Sequence, residues 1–306
     1  MSIDAPRKGV LAALWTPTTS DGTLLREEIN FNIEYLKKTQ IHGLLALGST
    51  GEFPLLTLEQ RKSVISHVVE QAAPLPVVVN VSDISPLNAA LLAKHAATAG
   101  AAAIAVMAPG FYPSSQDQIL AHFLHVAYAS DLPCFLYNFP ELTGTRINLE
   151  TVSRFADLAN MAGIKQSGGE FEYHRELIAL AREKGFSVFS GADTRLPEVF
   201  GLGADGCIGG LVNILPESML HLYHVCHDHQ DGAIEPACSM LKELGQVIDR
   251  IPFPLNVAAG MEARGFPVGE RISRVSQETQ LEYESIVSTL REKFEGWKLP
   301  MIGAMV

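Results

Sequence analysis

Apolar runs and longer amphipathic segments alternate along most of this chain. Residues 10–14, 43–47, 77–79, 103–107, 134–137, 163–165, 187–189 and 206–208 form short, almost continuously apolar runs. That is the pattern of strands buried on both faces, not the in–out alternation of a half-exposed sheet. The runs recur at roughly 30-residue intervals, the length of a strand–helix–strand step. The segments between them have helical periodicity. Leu25, Ile29, Ile33 and Leu36 form one apolar stripe. Thr57 with Gln60, and Ser115 with Gln118, have capping-box spacing, and Ser85-Pro86 sets a capping serine before a first-turn proline. Later helices are expected to start near Asn148, Glu170, Asp193 and Pro216. Eight such strands alternating with helices predict a (β/α)8 TIM barrel, with an open doubly wound sheet as the alternative that shares the same local pattern.

Near Ile234 the alternation stops. Residues 235–248 and 255–264 read as helices, and 277–294 places Tyr283, Ile286, Val287, Leu290 and Phe294 on one face. Ile251-Pro-Phe-Pro254 is a stiff connector between them. An apolar stripe needs a surface to cover it. The reading is therefore a catalytic barrel over 1–232 and a C-terminal helical extension over 233–306 packed on it.

Composition narrows the class. Of 306 residues, 47% are hydrophobic and 19% charged, ordinary for a globular chain. No stretch reaches the roughly 20 apolar residues of a membrane-spanning helix, and residues 1–8 lack the apolar core of a signal peptide. Cys134, Cys207, Cys226 and Cys238 show no C-x-x-C spacing, so reduced thiols in a cytoplasmic protein are expected. A net charge of −11 without a basic run argues against nucleic acid or an anionic membrane as partner.

The chemistry gathers at the ends of three runs. Met161-Ala-Gly-Ile-Lys165 closes on a single lysine before a glycine-rich turn. At the C-terminal end of a barrel strand Lys165 would point inward, where barrel enzymes keep their chemistry. A desolvated lysine loses part of its preference for the charged form, and a neutral amine attacks ketones. The plainer reading is a buried lysine paired with a carboxylate. The second run ends in Leu47-Gly-Ser-Thr-Gly-Glu52, two hydroxyls between glycines that let backbone N–H groups converge on an anion such as a carboxylate. Its plainer reading is a turn that caps the next helix. The fifth run ends in Tyr137-Asn-Phe-Pro140, a phenol able to relay a proton or simply a barrel tyrosine with a satisfied hydroxyl. A barrel brings Ser49, Thr50, Tyr137 and Lys165 to one rim. An amine, a phenol and an anion cradle there suit Schiff-base chemistry on a small 2-oxo acid.

Gly48-Ser-Thr-Gly-Glu52, Tyr137-Asn-Phe-Pro140 and Gly163-Ile-Lys165 together resemble the signatures of the dihydrodipicolinate synthase / N-acetylneuraminate lyase family, in order and across essentially the whole chain. The resemblance implies class I pyruvate-dependent aldolase chemistry, usually in a homotetramer. On it, Lys165 forms the imine with pyruvate and Tyr137 shuttles protons. Ser49 and Thr50 hold the pyruvate carboxylate, and the Ile208 carbonyl lines the imine pocket. No metal or organic cofactor is required, and the partners are a 2-oxo acid and an aldehyde.

Departures from the family pattern bear on the substrate. Dihydrodipicolinate synthases carry an arginine two positions after the Tyr-Asn-x-Pro motif to grip the second substrate's carboxylate. Here that position is Leu142, which cannot. Sialic acid lyases carry an Asp-Glu pair after strand seven, whereas Gly191-Ala-Asp193-Thr194 keeps only the aspartate. With Ser167 near the lysine, Tyr137-Asn-Phe-Pro-Glu-Leu-Thr-Gly144 looks most like the 2-keto-3-deoxy sugar-acid aldolases. Most members place a relay tyrosine where this chain has Phe111, with Tyr112 beside it. His221, His224, His227 and His229, with Asp228 and Asp231, read as a solvated helix face rather than a metal site, Cys207 as a small buried thiol, Glu52 as structural, and Asn80 as a backbone ligand without a catalytic role. Three functions remain. One is a pyruvate-releasing aldolase of a 2-keto-3-deoxy sugar acid or related 4-hydroxy-2-oxo acid. Another is a family member with a different outcome: a dehydratase or decarboxylating enzyme, the synthase or the sialic acid lyase. The last is a non-catalytic barrel that binds a 2-oxo acid.

Overall fold

The eight apolar runs become eight parallel strands closed into a barrel, in the order β1 to β8 with β8 paired back to β1. The computed structural model describes residues 3–228 and 231–302. In chain order its elements are β1 (Gly9–Ala13), α1 (Arg26–Lys38), β2 (Gly43–Ala46), α2 (Leu58–Ala72), β3 (Val77–Asn80) and α3 (Pro86–Ala99). Next come β4 (Ala103–Met107), α4 (Gln116–Ala127), β5 (Cys134–Asn138), the single turn α5 (Pro140–Thr143), α6 (Leu149–Leu158), β6 (Met161–Gln166) and α7 (Phe171–Lys184). The barrel ends with β7 (Ser187–Ser190), α8 (Leu196–Leu202), β8 (Gly206–Gly209) and α9 (Pro216–His227). The extension adds α10 (Asp231–Ile248), α11 (Leu255–Arg264) and α12 (Gln277–Gly296). The closed ring rules out the open-sheet alternative.

Helix starts follow local chemistry. Thr57 and Ser115 each accept from the N–H three residues on, and Gln60 and Gln118 return the bond, so both capping boxes form. Ser85 accepts from the Asn88 N–H. One expected start is displaced. No α-helix begins at Asp193, where a tight 3₁₀ turn, Asp193–Arg195, forms instead and α8 begins at Leu196. The Asp193 carboxylate accepts from the Leu211 N–H across the barrel rim and is therefore not free to cap a helix.

Side chains divide into two shells. Leu11, Leu45, Val78, Phe135, Phe189 and Ile208 point inward and fill the barrel axis, while Val10, Leu44, Val79 and Ile164 point out beneath the helices. Cys134 and Cys207 belong to the outer shell, as buried thiols. The inner shell explains one glycine. Gly163 faces inward beside Phe135, and a Cβ there would sit 2.6 Å from the Phe135 ring and 2.6 Å from the Ser187 carbonyl oxygen. Its missing side chain lets the ring fill the barrel directly under Lys165.

The extension is fastened by a buried guanidinium. Arg264, with no exposed surface, donates to both carboxylate oxygens of Glu217 on α9 at 2.9 and 3.0 Å and to the Tyr35 hydroxyl on α1 at 3.2 Å. Paired donors on one carboxylate satisfy an otherwise costly buried charge. Among the described residues no helix is long and apolar enough to cross a membrane.

Candidate active site

Strand register sets the centre of the site. Tyr137 on β5 lies opposite Lys165 on β6, so both side chains leave the barrel rim at the same height, pointing inward. Lys165 Nζ donates to the Tyr137 hydroxyl at 3.0 Å, and that hydroxyl lies 3.2 Å from Ser49 Oγ. Lys165 is 5% exposed, Tyr137 2% and Ser49 8%, so this chain of three polar groups is shielded from bulk water. Such shielding strengthens every electrostatic interaction within it.

Ser49 and Thr50 occupy a single 3₁₀ turn, Ser49–Gly51, that follows β2. The first N–H groups of a helical turn have no acceptor within the turn itself. Thr50 lines the chamber and Ser49 the cavity beside it. Glu52 ends the turn in the left-handed region at φ +52°, and burial pushes its carboxyl above the usual range. Its backbone fixes the turn, in keeping with a structural part.

Lys165 opens into a chamber of about 300 Å³ lined by Thr50, Tyr137, Ser167, Gly191, Asp193 and Ile208, among others. Ser167 Oγ and Lys165 Cε both crowd the space that a side chain on Gly191 would take, at 2.2 and 3.2 Å from that position. The extension completes the far wall with Asp249, Phe253, Asn256 and Val257. A larger cavity, about 690 Å³, lies beside the chamber behind Ser49 and Phe253, but neither Lys165 nor Tyr137 borders it. Convergent polar groups, not size, mark the site of chemistry. Leu142 lines this outer cavity and not the chamber. Its expected place among the substrate-binding residues is corrected accordingly: it does not line the chamber that holds Lys165. Phe111 also borders the outer cavity, exposed and edge-to-face with Tyr112 at 4.8 Å, so neither ring meets the chamber of its own chain.

Several positioning residues were not picked out in the sequence. Asn138 Nδ2 donates to Gln166 Oε1 at 2.7 Å while its own oxygen accepts from the Ile147 N–H at 3.0 Å, so each residue after a reactive side chain locks the neighbouring strand. Both are buried on the outer face. Phe139 stacks on Tyr137 and meets Phe253 of the extension, each at 6.3 Å, joining barrel to extension through aromatic contacts. Asn80, unlike these, was read from the sequence as a backbone ligand, and its Nδ2 donates to the Leu47 carbonyl at 2.7 Å, holding the backbone that leads into Ser49. The available signal was a polar residue directly beyond an apolar run, three times repeated. Among the described residues no group of three His, Cys, Asp or Glu side chains is arranged to hold a metal ion. His221, His224 and His227 lie on α9, and His229 lies outside the described residues.

A parallel barrel with a buried lysine, a phenol and a hydroxyl on one rim defines a class I lyase, an enzyme that works through a lysine Schiff base. Residues 6–290 match the dihydrodipicolinate synthetase family. The chain belongs to that family. It is 29% identical over 293 residues to a 4-hydroxy-tetrahydrodipicolinate synthase of Methanothrix thermoacetophila, covering 93% of this chain and 97% of that one. A protein of the same name from Methanococcoides burtonii is 33% identical, over 72% of this chain and 76% of its own. The crystal structure of YagE, a prophage protein of the dihydrodipicolinic acid synthase family from E. coli in complex with pyruvate, superposes with a TM-score of 0.88. Its identity is 26%, over 94% of this chain and 99% of that one.

Proposed function

We propose that this enzyme makes or breaks the bond between pyruvate and an aldehyde, acting on a 2-keto-3-deoxy sugar acid or a related 4-hydroxy-2-oxo acid. The unprotonated Lys165 amine adds to the keto carbon, and loss of water leaves an iminium. Tyr137 gives its proton to the departing water and then takes the 4-hydroxyl proton as the C3–C4 bond breaks. The bond's electron pair passes into the iminium to form an enamine, C4 leaves as the aldehyde, and the enamine is protonated at C3 and hydrolysed to pyruvate. Ser49 keeps the Tyr137 hydroxyl in line, and the turn at Ser49 and Thr50 takes the pyruvate carboxylate. Anchoring that carboxylate removes the ketone's freedom relative to the amine. This route needs no metal or organic cofactor.

One observation carries the choice of substrate. Lys165 is the single cationic side chain among the described residues lining the chamber, whose other polar lining includes Ser167, Thr194, Asp249 and Asn256. Those groups suit hydroxyls on the aldehyde half rather than a second carboxylate. The relatives' shared name favours a second reading, 4-hydroxy-tetrahydrodipicolinate synthase. The complex of YagE with pyruvate supports pyruvate as the common partner of both. A panel of 2-keto-3-deoxy acids, followed for pyruvate release with Lys165→Ala as blank, separates them. Pyruvate and an aldehyde by NMR are expected. Carbon dioxide or a semialdehyde would point to dehydration instead, and a panel without turnover while pyruvate is still trapped by borohydride would sink the sugar-acid assignment. The homotetramer and the cytoplasmic setting are proposals of the same kind, tested by light scattering and by fractionation.

A further inference from the structure

No step above uses the Asp193 carboxylate. Asp193 borders the chamber, with its carboxyl packed against Gly209 at the end of β8, where an added Cβ would lie 2.0 Å from Oδ1. One oxygen, Oδ2, accepts from the Leu211 N–H at 2.8 Å. The other, Oδ1, is out of contact with solvent and has no hydrogen-bond partner among the described residues. Burial pushes this carboxyl up to about 6, against the opposing pull of the Leu211 N–H, of Lys165 and, more weakly, of the Gly210 N–H. A half-satisfied buried carboxylate is costly to keep unless a charge arrives to meet it. The titratable groups around it are Lys165 from β6, Tyr137 from β5 and Asp249, just past the end of α10, which share the chamber, and Cys207 of β8 on the outer side of the barrel. Only Lys165 among them can supply positive charge. The iminium of a lysine carries its charge on an N–H that can be lost to leave a neutral imine, and a carboxylate nearby favours the protonated, electron-withdrawing form.

We propose that Asp193 is the counter-ion of the Lys165 iminium, a role that rests on the imine reading above. The carboxylate stabilises the cation relative to both the free amine and the neutral enamine, and so sets how much pyruvate is needed to fill the site. It acts through the field at Lys165 and transfers no proton.

The test titrates the parent enzyme, Asp193→Asn and Asp193→Ala with pyruvate between pH 5 and 8, quenches with borohydride and measures the Lys165 adduct by mass spectrometry. Asp193→Asn keeps an acceptor for the Leu211 N–H but carries no charge. At pH 8 it is expected to need at least about tenfold more pyruvate for half-saturation, the effect of one opposite charge at close range. That ratio shrinks towards one at pH 5, where the parent's own carboxyl is neutral. A purely structural aspartate would give a ratio independent of pH. Formate is expected to restore part of the adduct in Asp193→Ala, whose side-chain space is open, and not in Asp193→Asn. A variant that saturates like the parent at every pH, or an Asp193→Ala deaf to formate, overturns the counter-ion while leaving the imine in place. An absence of adduct in the parent enzyme overturns both.

Discussion

The floor and the mouth of this barrel hold their side chains by opposite means. Under Lys165, Phe135 and Phe189 meet edge to face at 5.8 Å, and Leu11, Val78 and Ile208 complete an apolar layer with almost no exposed surface. Every atom there is packed, and nothing titrates. At the mouth, Ser49, Tyr137 and Lys165 are buried but polar, and beside them the half-buried Asp193 keeps one inaccessible carboxylate oxygen without a partner among the described residues. Burial of apolar surface stabilises the floor, whereas the same burial is a strain on the mouth. Sites of chemistry are where a fold departs from its own packing rules, with the rest of the structure supplying the stability they lack.

The sharpest break in this comparison is Lys165→Ala. All borohydride-trapped adduct and all turnover should vanish, while the melting temperature holds or rises, because the floor is untouched. Tyr137→Phe comes next. It deletes the hydroxyl that links Lys165 to Ser49, and kcat should fall by about 10²–10⁴-fold, the usual worth of a positioned proton carrier, with the imine still trapped. A fall in stability comparable to a core mutation, seen in either variant by denaturant titration, would show that the mouth contributes more to folding than its polarity implies.

Asp193→Asn tests the cost of the mouth directly. The carboxyl titrates near 6 in the folded chain against an ordinary 3.8. The folded state therefore holds more proton between those values, and this contribution to stability, complete below pH 3.8, is lost as pH rises through about 6. The variant is expected to be more stable than the parent at pH 8 by on the order of 3 kcal/mol, with the gap closing towards pH 4. Melting curves across that range check the sign. Gly163→Ala, at the floor, should do the reverse. Its methyl group collides with Phe135 and the Ser187 carbonyl, lowering stability by about 1–3 kcal/mol at any pH, and it should slow turnover by tilting Lys165.

Much of this was legible in the chain. The barrel could be read from the recurrence of buried runs, and Lys165, Tyr137, Ser49 and Thr50 from polar residues placed where those runs end. Leu142 could not be placed, because the one-turn helix that swings it to the outer cavity leaves only a faint mark, a proline and a glycine four residues apart. The clamp between Asn138 and Gln166 was equally hidden, since a hydrogen bond across 28 residues depends on strand register and not on spacing. Phe253 and Asn256 read as parts of a connector and a helix. Only the docking of the extension, through Arg264 and Glu217, turns them into chamber walls.

Sequence alone therefore determined which residues are buried in strands and which reactive groups stand at strand ends, because hydrophobic period and local capping act over a few residues. Tertiary structure decided which of those groups meet. The 3.0 Å contact of Lys165 with Tyr137, the chamber shared with the extension and the unanswered Asp193 oxygen all arise from closing the barrel. Closure sets distances between residues far apart in the chain, and no local preference encodes those.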